Sequence, residues 1–183
     1  VQVMVDLIGP IQRAVSAYGQ YEAGVRVNLK DKYFPVVEVG YGEADHTDDV
    51  TQNSYKTSAP YGKLGVDFNI MKNKHDDNRV YAGLRYACTY FKCDIDHAPI
   101  TDPVWGGETP FSAHGVKANY HWMEVLAGVD AKIAGPLRLG WTVRYRRRVH
   151  YDNGLMDNVW YVPGYGKQGS SRISGTFNII YEF

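Results

Sequence analysis

Between Ser170 and Phe183 the side chains alternate almost without exception. Ile173, Gly175, Phe177, Ile179, Tyr181 and Phe183 occupy one phase; Arg172, Ser174, Thr176, Asn178 and Glu182 occupy the other. Successive side chains of a strand point to opposite faces, so this segment predicts a strand with one apolar and one polar side. The same period recurs in about eight segments, near 1–8, 19–29, 34–45, 55–71, 80–95, 116–133, 137–151 and 170–183. In the second, Tyr21, Ala23, Val25, Val27 and Leu29 oppose Glu22, Gly24, Arg26 and Asn28. In the seventh, Leu137, Leu139, Trp141, Val143 and Tyr145 oppose Arg138, Thr142, Arg144, Arg146 and Arg148. The sixth is the least regular: Met123, Val125, Ala127 and Val129 share a phase, but Tyr120 and Trp122 fall in the other, which suggests a bulge near its start.

No run approaches the roughly 20 consecutive apolar residues that a spanning helix needs. Charged residues make up 22% of the 183-residue chain, and mean hydropathy is -0.38. Neither figure argues against a membrane barrel, in which alternation of lipid-facing and lumen-facing side chains dilutes the hydropathy of every strand. The expected fold is therefore all-β, an eight-stranded antiparallel up-and-down transmembrane β-barrel formed by residues 1–183 as one domain. The 15 tyrosines suit aromatic girdles at the two water interfaces. Tyr41, Tyr61, Tyr90, Trp122 and Tyr145 are assigned to the outer girdle, and Phe34, Tyr81, Tyr181 and Phe183 to the periplasmic one. Val1 already reads as strand with no signal peptide before it, so the chain is taken as a processed or trimmed mature form.

Connections alternate in length. Residues 30–33, 72–79 and 134–136 are short, whereas 9–18, 46–54, 96–115 and 152–169 are longer. Short periplasmic turns and long outer loops produce that rhythm and put both termini on the periplasmic side. Ile11, Ala14 and Val15 have helical spacing, so residues 9–18 form either one helical turn capping the outer mouth or an ordinary loop.

Strand parity assigns the charges. Arg144, Arg146 and Arg148 share a lumen phase and leave only Arg147 outward, which dismantles a nucleic-acid reading of the run Arg144-Tyr145-Arg146-Arg147-Arg148. An eight-stranded barrel has an interior just wide enough for side chains. Glu22, Arg26, Glu38, Lys63, Asp67, Arg85, Glu124, Asp130, Arg138, Arg144, Arg146, Arg148 and Arg172, with Glu182, would share that interior. Unpaired buried charge is very costly, so a connected ionic network that plugs the lumen is expected; the competing readings are an ion-selective pore and a carboxylate site.

No catalytic, cofactor or metal site is assigned. Asp45, His46, Asp48 and Asp49, the group His75, Asp76 and Asp77, and Asp94, Asp96 and His97 carry oxygen and imidazole donors, but at no specific ligand spacing and in turns that favour Asp on their own account. Cys88 and Cys93 would lie about 16 Å apart on opposite faces of one strand, which predicts two free thiols. Ser112, His114, His150 and Ser170 match no nucleophile motif. What remains is the wall and two long loops bearing Trp105, Phe111, Trp160, Tyr161 and Tyr165, aromatics suited to anchoring a protein partner.

The terminal strand, with Tyr181 two positions before a final Phe183, resembles that of Gram-negative outer-membrane barrels. More specifically, Tyr18-Gly-Gln-Tyr-Glu, Gly40-Tyr-Gly-Glu-Ala-Asp-His-Thr-Asp-Asp, Thr57-Ser-Ala-Pro-Tyr, Thr101-Asp-Pro-Val-Trp-Gly, Val143-Arg-Tyr-Arg-Arg-Arg and Trp160-Tyr-Val-Pro-Gly-Tyr-Gly-Lys resemble a family of small outer-membrane barrels of the Bacteroidota, formerly a domain of unknown function. That resemblance implies a non-enzymatic structural or interaction subunit, accessory to the outer-membrane protein assembly machinery. It would be surrounded by outer-membrane lipid and lipopolysaccharide and partnered by another barrel or a surface lipoprotein. The alternatives are a rim-active lipid-modifying enzyme and a soluble lipocalin-like carrier.

Overall fold

The computed structural model of the chain describes residues 1–73, 75–101, 103–154 and 159–183, with the side chains of residues 100, 109 and 110 excepted. Its strands are β1 (Gln2–Asp6), β2 (Tyr18–Arg26), β3 (Tyr33–Thr47), β4 (Ser54–Asn69), β5 (Arg79–Thr101), β6 (Glu108–Ala134), β7 (Leu137–Asp152), β8 (Tyr161–Val162), β9 (Gly166–Lys167) and β10 (Ser171–Glu182), with one helix, α1 (Ile8–Val15), after β1. Eight strands close into a barrel in the order β1-β10-β7-β6-β5-β4-β3-β2, every neighbour antiparallel. The last strand pairs with the first, Val5 opposite Ile179 and Val3 opposite Tyr181. Closure of β1 on β10 leaves the ring itself without a free edge strand.

Alternation sorts the two faces of the wall. Leu64, Trp141, Val143 and Ile173 are each more than 60% exposed on the outside, while Glu38, Lys63, Asp67, Arg85 and Glu124 are buried within. This is the reverse of a ligand-carrying soluble barrel, whose interior is apolar. Monomers stable in water seldom expose contiguous apolar patches beyond a few hundred Å². In hydrocarbon the same surface carries no penalty, and closure satisfies the backbone groups that lipid cannot.

The described connections sort by end as expected: 27–32, 70–73 with 75–78, and 135–136 at one end (the turn end), and α1, 48–53, 103–107 and 153–154 with 159–170 at the other (the loop end). Residues 96–115, read as a loop from their turn-forming residues, are largely strand instead. Asp96 pairs with Ser112 and Thr101 with Glu108, so β5 and β6 continue past their neighbours as a projecting hairpin. A register irregularity accompanies the start of the sixth segment, as expected. Tyr120 and Trp122 are fully buried in the same inward phase as Glu124, and the register shifts fall at Cys93/Ile95 against β6 and at His121/Trp122 against β7. Their parity broke the apolar pattern because these rings face inward: Tyr120, Trp122, Glu124 and Leu126 keep one continuous buried phase across the shift.

The same burial corrects the girdles. Tyr61, Trp122, Phe34 and Tyr81 are lumen residues, leaving Tyr41, Tyr90 and Tyr145 exposed in the outer row and Tyr181 and Phe183 in the other. Strand period alone could not separate an inward from an outward ring once both phases carried aromatics.

Residues 8–15 form a helix lying along the rim against β2 and β10. Asp6 accepts the amides of Ile8 (3.2 Å) and Gly9 (2.9 Å) at its start. A side chain at Gly9 would collide with the Gln20 carbonyl, its Cβ falling 2.1 Å from the oxygen, so only glycine allows this approach. Ile8, Ile11 and Val15 face away from the barrel and are exposed, an apolar stripe of the kind interfacial helices lay on lipid.

A barrel spanning lipid makes depth-dependent demands. Val143→Lys on the outer wall should cost about 2 to 4 kcal/mol and Tyr21→Lys on the outer aromatic row about 0 to 1 kcal/mol. The lumen position Thr142 is not a mild control, because it is buried and its hydroxyl bonds Tyr81 Oη at 2.9 Å; Thr142→Lys should cost at least as much as Val143→Lys. Denaturant unfolding in lipid vesicles measures all three.

Candidate functional site

The inward side chains of the barrel strands meet in one buried ionic cluster. Five carboxylates, Glu22, Glu38, Asp67, Glu124 and Asp130, face five cations, Arg26, Lys63, Arg85, Arg144 and Arg146, each with its side chain no more than 5% exposed. The cluster is continuous. Arg26 joins Asp130 (2.6 Å) to Asp67 (3.2 Å), and Asp67 takes a fork from Arg85 at 2.7 and 2.9 Å. Arg85 continues to Glu38 (3.4 Å), and Arg144 Nη1 gathers Glu38 (2.9 Å), Glu22 (3.0 Å) and Glu124 (3.4 Å). Lys63 closes the set on Glu22 (2.8 Å) and Glu124 (3.2 Å), and Arg146 reaches Glu124 at 3.1 Å. Formal charge therefore cancels inside the wall, which is the condition under which burying so many ions is tolerable.

A second cluster closes the turn end. Glu182 holds Arg79 (3.0 Å) and Arg138 (3.1 Å), and Arg138 also donates to the Asp77 carbonyl. Arg138 therefore belongs to this group rather than to the central one. Arg79, absent from the expected network, shares the inward phase of Tyr81 and Arg85, so parity could have found it. In the turns beyond, Asn28 Nδ2 (2.5 Å) and the His75 ring (2.8 Å) hold the Asp31 carboxyl below its usual range, and Lys132 (2.9 Å) does the same for Asp77. Both shifts stabilise the fold above the ordinary carboxylate range and lose that effect as pH falls through it.

Above the ions, toward the loop end, lies an apolar compartment built from two sources. The strands supply Tyr55, Tyr61, Phe91, Tyr120 and Trp122; the connection after β7 supplies Val159, Tyr161, Val162 and Tyr165. That connection folds inward as the small β8–β9 hairpin, closed by Val162-Pro163-Gly164-Tyr165 with Tyr165 N bonded to Val162 O at 3.0 Å. Pro then Gly is the pattern of a type II turn, and Gly164 has φ +81°. The turn rests on the Tyr61 ring, only 2.5 Å from where a Gly164 Cβ would stand. Tyr55 Oη donates to Tyr161 O (2.8 Å), Tyr161 Oη to Gly19 O (3.2 Å), and Arg146 Nη1 to Tyr165 O (2.9 Å). Tyr61 donates to Glu22 and Trp122 to Glu124, both at 2.8 Å, coupling the aromatic compartment to the ions.

Several assignments change accordingly. Arg148 and Arg172 are not in the ionic network. Arg148 lies 3.7 Å above the Tyr151 ring and donates to Tyr120 Oη (2.9 Å), whereas Arg172 donates to the carbonyls of Lys167 (2.9 Å) and Gln168 (3.2 Å), tying down the hairpin. They sit near the mouth, where the carboxylates have run out. Tyr161 and Tyr165 cannot anchor an external partner, because the Pro-Gly turn carries both into the lumen, where each is at most 2% exposed. Trp160 is half-buried and stacked on His46, centroids 4.4 Å apart. Trp105, at 85%, and Phe111, at 37%, are exposed on the projecting hairpin.

The donor-rich loops serve local structure. Asp48 accepts the Val50 and Thr51 amides, both at 2.9 Å. His97 packs on Phe111, and His114 lies 3.4 Å from Asp96 on the exposed hairpin, with no hydrogen bond from Ser112 to its ring among the described residues. His150 packs edge-on against His121 on the outer wall, and Ser170 O accepts the Arg148 amide. No group of three or more His, Cys, Asp or Glu side chains among the described residues is arranged to hold a metal. Cys88, partly exposed, and Cys93, buried, are free thiols.

The two kinds of inward arginine should behave differently. Arg144→Met removes the cation shared by Glu22, Glu38 and Glu124 and leaves the buried cluster one positive charge short, which should cost about 3 to 5 kcal/mol. Arg148→Met loses a cation–π contact and one hydrogen bond, about 1 to 2 kcal/mol. Urea unfolding in vesicles compares them directly, and equal losses would contradict the separation.

Comparison with solved structures finds the same fold in a major outer membrane protein from Thermus thermophilus. The likeness has a TM-score of 0.57 at 12% identity and covers 100% of this chain and 97% of that one. No curated protein matches the chain. A family model matches residues 1–183 throughout, and the chain belongs to the family described as Domain of unknown function (DUF6048).

Proposed function

We propose that this protein is a non-enzymatic outer-membrane barrel that acts as a structural or interaction subunit, with the projecting β5–β6 hairpin as its contact element. The observation that carries the reading is the engagement of the inward polar groups with one another. The central carboxylates and cations pair among themselves, and the β8–β9 hairpin fills the space above them. A lumen engaged in this way serves as a plug, which leaves the wall, the rim helix and the hairpin to meet the surroundings.

The shared fold with an outer membrane protein and the apolar outer face support placement in that membrane. Short connections at one end and long ones at the other support periplasmic termini and an outward-facing hairpin. The strand pair continues beyond its neighbours and carries Val104 at 76% and Trp105 at 85% exposure. Exposed aromatics on a projecting hairpin suit a protein contact, and Trp is among the residues most enriched in the anchors that dominate such contacts. The partner proposed is another barrel or a surface lipoprotein, within the assembly machinery that the family resemblance implies for a bacterium of the Bacteroidota.

Two measurements test this. A photocrosslinker at Trp105 in native membranes should yield a protein adduct, and Trp105→Ala should release the co-purifying partner while strand content stays unchanged. Lipid adducts alone, or hydrolysis of lipid by the isolated barrel, would end the interaction reading. In planar bilayers the wild-type protein should give no steady current; stable channels would contradict the plug.

A further inference from the structure

The wall is not uniformly zipped. Between β4 and β5 the register is constant, yet pairing stops after Thr57 opposite Cys93 and resumes at Tyr61 opposite Thr89. Thr89 Oγ1 donates to Pro60 O at 2.9 Å, so the Pro60 carbonyl points toward β5. A strand residue directs its carbonyl and its nitrogen to the same side, so the N–H that proline lacks is one that β5 would have received. Thr57 Oγ1 mirrors the arrangement by donating to Lys92 O at 2.8 Å. Two inward threonines thus hold the ends of a seam that proline leaves open.

On the outer surface the seam underlies a groove of about 520 Å³, lined by Ser58, Pro60, Tyr90, Lys92, Lys117 and Asp152 and floored by Ala59, Phe91 and Ala118. It begins at the outer aromatic row, since Pro60 pairs with Tyr41. Toward the turn end, the next outward position on β4 is Gly62, where an added Cβ would meet nothing within 4 Å. At its head Lys92 and Lys117 stand directly opposite one another on β5 and β6, both exposed and neither in an ion pair among the described residues. Like charges placed opposite one another destabilise a sheet unless an anion bridges them. Asp152 lies in the same groove, but its Oδ1 accepts the Gly154 amide at 2.9 Å.

We infer that this groove binds a phosphorylated membrane lipid, its phosphate bridging Lys92 and Lys117 and an acyl chain running down past Pro60 and Gly62. Charge and depth select that occupant together. Tyrosine rows mark where hydrocarbon meets water, and an unmatched lysine pair just beyond that row stands at the level of lipid phosphates. The inference rests on the membrane placement proposed above and not on the partner.

The test uses the full chain in detergent micelles, with lipid retention read by native mass spectrometry. Dioleoylphosphatidic acid should be retained about tenfold better than dioleoylglycerol, which has the same chains without the phosphate. Lys92→Gln with Lys117→Gln should abolish that preference without loss of strand content, and millimolar inorganic phosphate should not displace the lipid. Equal retention of the two lipids, an unchanged preference in the double variant, or displacement by inorganic phosphate would each overturn the site. Failure of the wild-type barrel to enter vesicles would instead remove the membrane placement, so the two failures are distinguishable.

Discussion

Ten charged side chains are buried together in the middle of the barrel, and the fold depends on how they cancel. A single buried ion without a partner costs several kcal/mol, so this interior is tolerable only as a set. Five acids and five bases come from β2, β3, β4, β5, β6 and β7, and several of the bridges tie together strands that are not neighbours in the wall. A slip of one residue in any strand would send its charge into lipid and bring an apolar side chain into the network. The ionic cluster therefore specifies register as well as occupying space.

The other features follow from that layer. Because the ions fill the central section, the remaining lumen toward the loop end can be apolar, and the β8–β9 hairpin turns inward to occupy it. Tyr61 and Trp122 belong to both regions, each placing a ring in the aromatic compartment and a polar hydrogen on a carboxylate of the ionic layer. On the reading proposed above, contact with the surroundings falls to the projecting hairpin, the rim helix and the interrupted seam at Pro60.

Much of this is legible in the sequence, and what is not has physical causes. Period-two alternation is a direct consequence of strand geometry, so the eight strands and the inward phase of residues such as Glu38, Arg85 and Arg144 can be read from order alone. The alternating connection lengths likewise follow from up-and-down topology. Phase does not reveal whether a ring in the polar phase is a girdle or a lumen residue, which is why Tyr61, Trp122, Phe34 and Tyr81 read as girdle positions and are not. Nor does it reveal that a loop will fold back. Val162-Pro163-Gly164-Tyr165 announces a turn but not its direction, so Tyr161 and Tyr165 read as exposed anchors. Arg148 and Arg172 have the right phase but lie too near the mouth, where the facing groups are tyrosine rings and carbonyls rather than carboxylates. Residues 96–115 carry the Asp, Pro and Gly of a loop, while long-range pairing of β5 with β6 makes most of them strand.

The most direct test of interdependence in the ionic layer is a double-mutant cycle on Glu38 and Arg144, measured by equilibrium unfolding in lipid vesicles. If the cluster stands as a set, Glu38→Gln and Arg144→Met should each destabilise the barrel, and the double variant should lose less than their sum by about 1 to 3 kcal/mol. Additivity of the two losses to within about 0.5 kcal/mol would mean that these side chains act independently, and would contradict the claim that their mutual cancellation holds the barrel together.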